Sequence, residues 1–156
     1  MKLIAHRGNT DGIMPDLENE PSYVDLALQK GYDVELDVRV LGSEIFLGHD
    51  RPDYAVSAEF LLERKKRLWV HCKNRDAISM SIKLGLNFFW HQEDDYTLTS
   101  YGYVWAYPGK ENIPNTPTVL VMPEKHWNLD TIKNFTAYGI CSDIVSKIKE
   151  KHDSLV

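Results

Sequence analysis

Cysteine is nearly missing from this sequence: Cys72 and Cys141 are the only two in 156 residues. Two thiols cannot form a disulfide framework, and each lies in an apolar run that reads as a strand, so both are expected to be buried in a reducing compartment. Long apolar runs are also missing. No segment reaches bilayer-spanning length, and no charged stretch precedes a short apolar one in the manner of a signal peptide. With His6 so near the start there is little room for a cleavable leader. The expectation is a cytoplasmic protein with no membrane partner. A basic excess is lacking as well, the formal net charge being −5. The one dense cationic patch, "ERKKR" at 63–67, ends an expected helix, where it serves the helix dipole and solubility. Nucleic acid is therefore not an expected partner.

What is present is ordinary for a packed domain, with 43% hydrophobic and 26% charged residues. No fixed-length repeat, low-complexity tract or linker divides the chain, and the length suits one domain over 1–156. Short apolar runs alternate with helical patterns. Strands are expected at 2–6, 33–40, 44–48, 68–73, 87–91, 103–107, 118–122 and 138–142, and helices at 21–30, 57–66, 74–84, 127–137 and 143–152. Pro21 opens the first helix and Gly31 follows it, and Gly85 stops the third. Such alternation implies a parallel sheet.

Two segments break the rhythm. Leu41, Gly42 and Ser43 leave room only for a hairpin-like return, and 107–118 ("YPGKENIPNTPT") is too proline-rich for a helix. The expected fold is α/β: a compact TIM-like β/α barrel with some helices missing, shorter than the usual ~250 residues or open on one side. Missing helices would leave apolar strand surface around 100–120, which a homodimer could cover.

Nearly every expected parallel strand ends in an ionisable group: His6 and Arg7, then Glu35 and Asp37, His49 and Asp50, His71 and Lys73, His91 with Glu93 and Asp95, Glu124, and Asp143. Parallel α/β folds build ligand sites at the carboxyl ends of their strands. In "VELDV", Glu35 and Asp37 are two apart and share a face, while Val34, Leu36 and Val38 take the other. Two adjacent carboxylates ionise cheaply only with a cation between them, and a hard divalent ion is the simplest one. In "WVHCK", His71 and Lys73 share the carboxylates' side, and Cys72 faces the helices. Lys73 is placed to meet an anionic substrate oxygen or to balance the carboxylates. Most aromatics of 88–109 belong to the core, but Trp105 and Tyr107 share a face before a Pro-Gly turn and form a candidate wall for a sugar or polyol. His91 and Glu93 share a face and are weaker candidates for substrate contact.

These motifs resemble the glycerophosphodiester phosphodiesterases, within the phospholipase-C-like TIM-barrel phosphodiesterases. "AHRG" (5–8) matches the family's opening motif, "LENE" (17–20) its P-E-N-T element, "ELD" (35–37) its E-x-D pair and "GHD" (48–50) its closing His-Asp. Leu17 and Glu20 replace the proline and threonine of the second. The resemblance covers roughly the first fifty residues. It implies that His6 and His49 are the general acid/base pair, that Arg7 contacts phosphate oxygens, and that Glu35 and Asp37 hold a metal with Glu18 near enough to contribute. The metal implied is magnesium or calcium.

There are two departures from the family. "HCK" stands where the family has E-x-K, so His71 replaces a metal-binding glutamate and favours manganese or zinc. Only about twenty residues separate Asp50 from His71, so the family's insertion subdomain is absent. The expected activity is metal-dependent hydrolysis of a small glycerol or sugar phosphodiester. A catalytically impaired barrel that binds a phosphorylated glycan or polyol is the alternative.

Overall fold

A computed structural model describes residues 1–110 and 116–154. Ten strands are described: β1 (Lys2–His6), β2 (Asp33–Leu41), β3 (Glu44–Leu47), β4 (Tyr54–Val56), β5 (Leu68–Cys72), β6 (Phe88–Phe89), β7 (Tyr96–Leu98), β8 (Val104–Ala106), β9 (Thr118–Val121) and β10 (Gly139–Ser142). Five helices join them: α1 (Pro21–Gln29), α2 (Ala58–Arg64), α3 (Arg75–Leu84), α4 (Leu129–Ile132) and α5 (Val145–Asp153).

Seven strands run parallel in the order β6-β5-β2-β1-β10-β9-β8. The array curls into a TIM-like barrel, as the alternation of strands and helices predicts. Among the described residues no ladder joins β6 to β8. The rings of Phe89 and Trp105 stack across that seam with centroids 4.6 Å apart. The expected return at 41–43 is a hairpin, with β3 antiparallel to β2.

The sequence reading omits β4 and β7. Both are three-residue antiparallel additions outside the barrel, on β3 and β8 respectively, too short to show an alternation. No described helix lies between β6 and β9, as expected of a pared-down barrel; positions 111–115 of the proline-rich stretch lie outside the described residues. The expected helix at 127–137 shortens to α4. No helix among the described residues is long and apolar enough to cross a membrane.

Local chemistry sets the helix ends. Glu20 accepts from the Tyr23 N–H at the start of α1, where Pro21 needs no amide partner. Asn74 caps α3 by accepting from the Ala77 N–H, and its amide also donates to the Val40 carbonyl, fixing α3 against β2. The strands alternate as expected. Val34, Leu36, Val38, Val70 and Cys72 pack outward with Val24, Ala27 and Ala77 of the helices, while Ile4, Trp69, Phe89, Trp105, Val119 and Cys141 fill the barrel. Both cysteines are free and buried. Burial raises the Cys72 thiol to about 11 and pushes Cys141 well up, so neither is a ready nucleophile.

Candidate functional site

Strand register builds the site. His6 pairs with Glu35 across β1 and β2, Asp37 with His71 across β2 and β5, and His71 with Phe89 across β5 and β6. These side chains therefore stand in adjacent rows at the carboxyl mouth of the barrel. A cavity of about 360 Å³ opens there, and His6, Arg7, Glu35, His49, His71, Lys73, His91, Trp105 and Tyr107 all line it. Asp37 lies fully buried beneath them. Glu93 lies apart, in a separate depression with Gln92 and Asp94.

Turn geometry aims the first two residues. Arg7 has φ +52 and Gly8 φ +90, and a Cβ on Gly8 would come within 2.8 Å of the Tyr23 ring. The chain thus turns sharply after His6, a conformation that favours glycine. Arg7 places its Nη1 2.9 Å from Glu18 Oε2 and its Nε 3.0 Å from Asp37 Oδ2. His49 follows Gly48, whose φ is +144 and whose added Cβ would lie 2.1 Å from the Arg51 carbonyl oxygen. The Gly48 N–H donates to the Asp37 carbonyl, which anchors the histidine loop to β2.

The two imidazoles sit in opposite electrostatic settings. His6 Nδ1 is 2.8 Å from Asp143 Oδ1, and its Nε2 is 3.9 Å from Glu35 Oε2. Burial alone would lower its pKa, but the hydrogen bond to Asp143 and the charge of Glu35 raise it above the ordinary histidine value. His49 Nδ1 is 2.7 Å from Asp50 Oδ1. Burial, helped by the charges of Arg7 and Lys73, outweighs Asp37 and Asp50 and holds His49 below its ordinary value. Of the two, His6 holds its proton more tightly and His49 is the readier neutral base.

Glu35, Asp37 and His71 bring their ligand atoms within 4.8 Å of one another. Burial, then the neighbouring Asp37, push the Glu35 carboxyl upward. Asp37 takes the opposite course. Its burial penalty is overcome by the close approach of His71 and the charge of Arg7, so it is held well below the carboxylate range. Asn19, itself at φ +64, fixes Asp37 twice: Nδ2 donates to Oδ2 at 3.0 Å and Oδ1 accepts the Asp37 N–H at 2.8 Å.

His71 Nδ1 is 3.1 Å from Asp37 Oδ1 and 3.8 Å from Glu35 Oε1. It is poorly aligned for donation, and the buried Oδ1 has no hydrogen-bond donor. Two buried carboxylates, one carrying an orphaned oxygen, converging with an imidazole form a donor set that fits a divalent cation. Glu18 stands apart from this trio. Its carboxylate groups instead with His6 and Asp143, and Arg7 and Asn9 occupy it.

From His71 a column of rings runs along the barrel: His91, His71, Phe89 and Trp105 stack with successive centroids 4.8, 4.9 and 4.6 Å apart. Burial and the charges of His71 and Lys73 lower His91 to about 4, so it is a neutral ring in that column. Trp105 is buried, while Tyr107 is 38% exposed and meets His91 edge-on at 5.3 Å. Lys73 lies 3.8 Å from Asp37 Oδ1.

The sequence reading assigned no role to four residues here. Asp143 is visible as a strand-end carboxylate, but its bond to His6 spans 137 positions. Asn19 sits inside the "LENE" element, Asn9 bridges Glu18 and Asp143 at 2.8 and 2.9 Å, and Lys125 lines the cavity from the turn after β9.

No family model matches the chain, and no curated protein matches it by sequence. Solved structures do resemble it. A glycerophosphodiester phosphodiesterase from Agrobacterium tumefaciens superposes with TM-score 0.66 at 14% identity, over 98% of this chain and 99% of that one. Another from Parabacteroides distasonis superposes with TM-score 0.54 at 13% identity, over 99% and 98%. The chain therefore has the α/β fold of the glycerophosphodiester phosphodiesterases.

Proposed function

We propose that the protein is a phosphoric diester hydrolase, a metal-dependent phosphodiesterase acting on a small polar glycerol or sugar phosphodiester. The observation that carries this reading is the meeting of His6, His49 and Arg7 on one cavity, above the convergent Glu35, Asp37 and His71. In-line displacement at a phosphodiester needs a proton taken from the attacking oxygen, a proton given to the leaving oxygen, and positive charge at the remaining oxygens.

His49, held neutral, removes the proton from the attacking oxygen as the new P–O bond forms. His6, whose proton affinity Asp143 raises, delivers a proton to the alkoxide as the old P–O bond breaks. Arg7 and Lys73 face the non-bridging oxygens. Glu35, Asp37 and His71 would hold a divalent ion, magnesium or calcium foremost and manganese or zinc through the imidazole, which when bound supplies positive charge to the phosphoryl group. Trp105 and Tyr107 offer a flat wall to the polyol arm.

The test is hydrolysis of bis-p-nitrophenyl phosphate and glycerophosphodiesters with each of the four ions or with chelator. Expected are metal-dependent turnover and at least a hundredfold loss in His6→Ala and in His49→Ala. Turnover indifferent to chelator and to both substitutions would sink the reading. Binding without turnover would favour a glycan-phosphate binding protein.

A further inference from the structure

The cations around the cavity are unequally engaged. Arg7 is held by Glu18 and Asp37, and Lys73 faces Asp37. Lys125 lines the same cavity, yet among the described residues its ammonium makes no ion pair or hydrogen bond. Its charge reaches Asp143, whose Oδ1 is already taken by His6 and Asn9 at 2.8 and 2.9 Å.

The backbone beneath Lys125 is fixed. Pro123–Lys125 is a 3₁₀ turn entered through Met122 at φ +50. The adjacent Glu124 accepts from the Ser142 hydroxyl at 2.7 Å and the Asp143 N–H at 3.0 Å. The turn thus presents an exposed ammonium at the cavity wall.

Its position on the rim says what it could meet. β9, which the Lys125 turn follows, lies two strands from β1, about 10 Å at ~4.8 Å per strand. β8, carrying Trp105 and leading to Tyr107, is its other neighbour. His6, Arg7, Tyr107 and Lys125 all line the one cavity. The diester phosphate carries one negative charge, which Arg7 and Lys73 already face.

We infer that the substrate is a phosphodiester with a second anionic group, a carboxylate or a phosphomonoester, on one alcohol arm, and that Lys125 selects it. This rests on the phosphodiesterase reading above.

The experiment uses four glycerol phosphodiesters whose second alcohols are 3-hydroxypropanoate, 1,3-propanediol monophosphate, 1-propanol and 3-aminopropan-1-ol. Specificity constants are measured for the wild type, Lys125→Ala and Lys125→Glu with saturating divalent ion. Dissociation constants are measured by calorimetry on a His49→Ala background. Expected is a preference of roughly tenfold for at least one anionic arm over the propyl arm in both measurements. That preference vanishes in Lys125→Ala and turns toward the amino arm in Lys125→Glu, and the two anionic arms tell carboxylate from phosphate. Equal constants for anionic and neutral arms, or a preference that survives Lys125→Ala, overturn the inference and leave the phosphodiesterase reading standing. Neither binding nor turnover of any of the four overturns the inference, while hydrolysis of bis-p-nitrophenyl phosphate decides the phosphodiesterase reading separately.

Discussion

Asp143→Asn tests the division of labour between the two histidines without altering the shape of the site. The carboxylate lies 2.8 Å from His6 Nδ1 and also accepts from Asn9 Nδ2 at 2.9 Å. The amide keeps the volume and removes the charge. A hydrogen bond to a charged partner contributes about 1.5–3 kcal/mol, and Asp143 supplies both that bond and a charge that raises His6, so the proton affinity of His6 should fall. His6 is the acid, so the basic limb of the kcat/KM profile reports it and should move down by the same amount. The acidic limb, which reports His49, should stay in place.

A stability comparison gives a second reading. Because His6 is raised in the folded protein, its contribution is fully present below the unfolded histidine value near 6.5 and is lost as pH rises through the folded value. The stability gap between wild type and Asp143→Asn should therefore be widest near pH 5–6 and close at alkaline pH. The assays are histidine NMR titration, the pH–rate profile and urea unfolding at several pH values. An unchanged His6 titration together with an unmoved basic limb would refute the assignment.

Other perturbations have equally definite outcomes. Gly48→Ala places a Cβ 2.1 Å from the Arg51 carbonyl at φ +144, so the His49 loop must shift; a loss of about 1–3 kcal/mol in thermal unfolding is expected, with activity falling further than stability explains. Asn19→Ala removes both hydrogen bonds to Asp37, which should cost about 2–4 kcal/mol in denaturant unfolding and weaken divalent-ion affinity by about 10–100-fold in calorimetry. Glu35→Gln removes one of two adjacent buried carboxylates; it should raise the stability of chelator-treated protein while abolishing the rise in Tm on adding divalent ion. If the wild type gains no Tm from any of the four ions at millimolar concentration, the metal assignment of Glu35, Asp37 and His71 fails.

Much of the barrel follows from local pattern. Alternation in "VELDV" and "WVHCK" settles which side chains face inward, because a strand has a period of two whatever its neighbours. Pro21, Gly31 and Gly85 bound their helices through backbone chemistry that acts over a few residues. The residues of "AHRG", "ELD" and "GHD" were therefore legible as strand-end groups.

Other features depend on closure of the sheet. The bond from His6 to Asp143 exists only because β10 returns to pair with β1. Asn19 reaches Asp37 only because the turn at Arg7 and Gly8 folds the following loop back over β2. Glu18 lies close in sequence to the acidic pair's strand, yet Arg7 and Asn9 draw it away from Glu35 and Asp37. β4 and β7 form only as partners of existing edges. By itself the sequence determined which groups point into the barrel, since that depends on residue spacing. Only the tertiary structure decided which of them touch, and so which imidazole has its proton affinity raised and which lowered, since the bond from His6 to Asp143 spans 137 positions and depends on strand order and register.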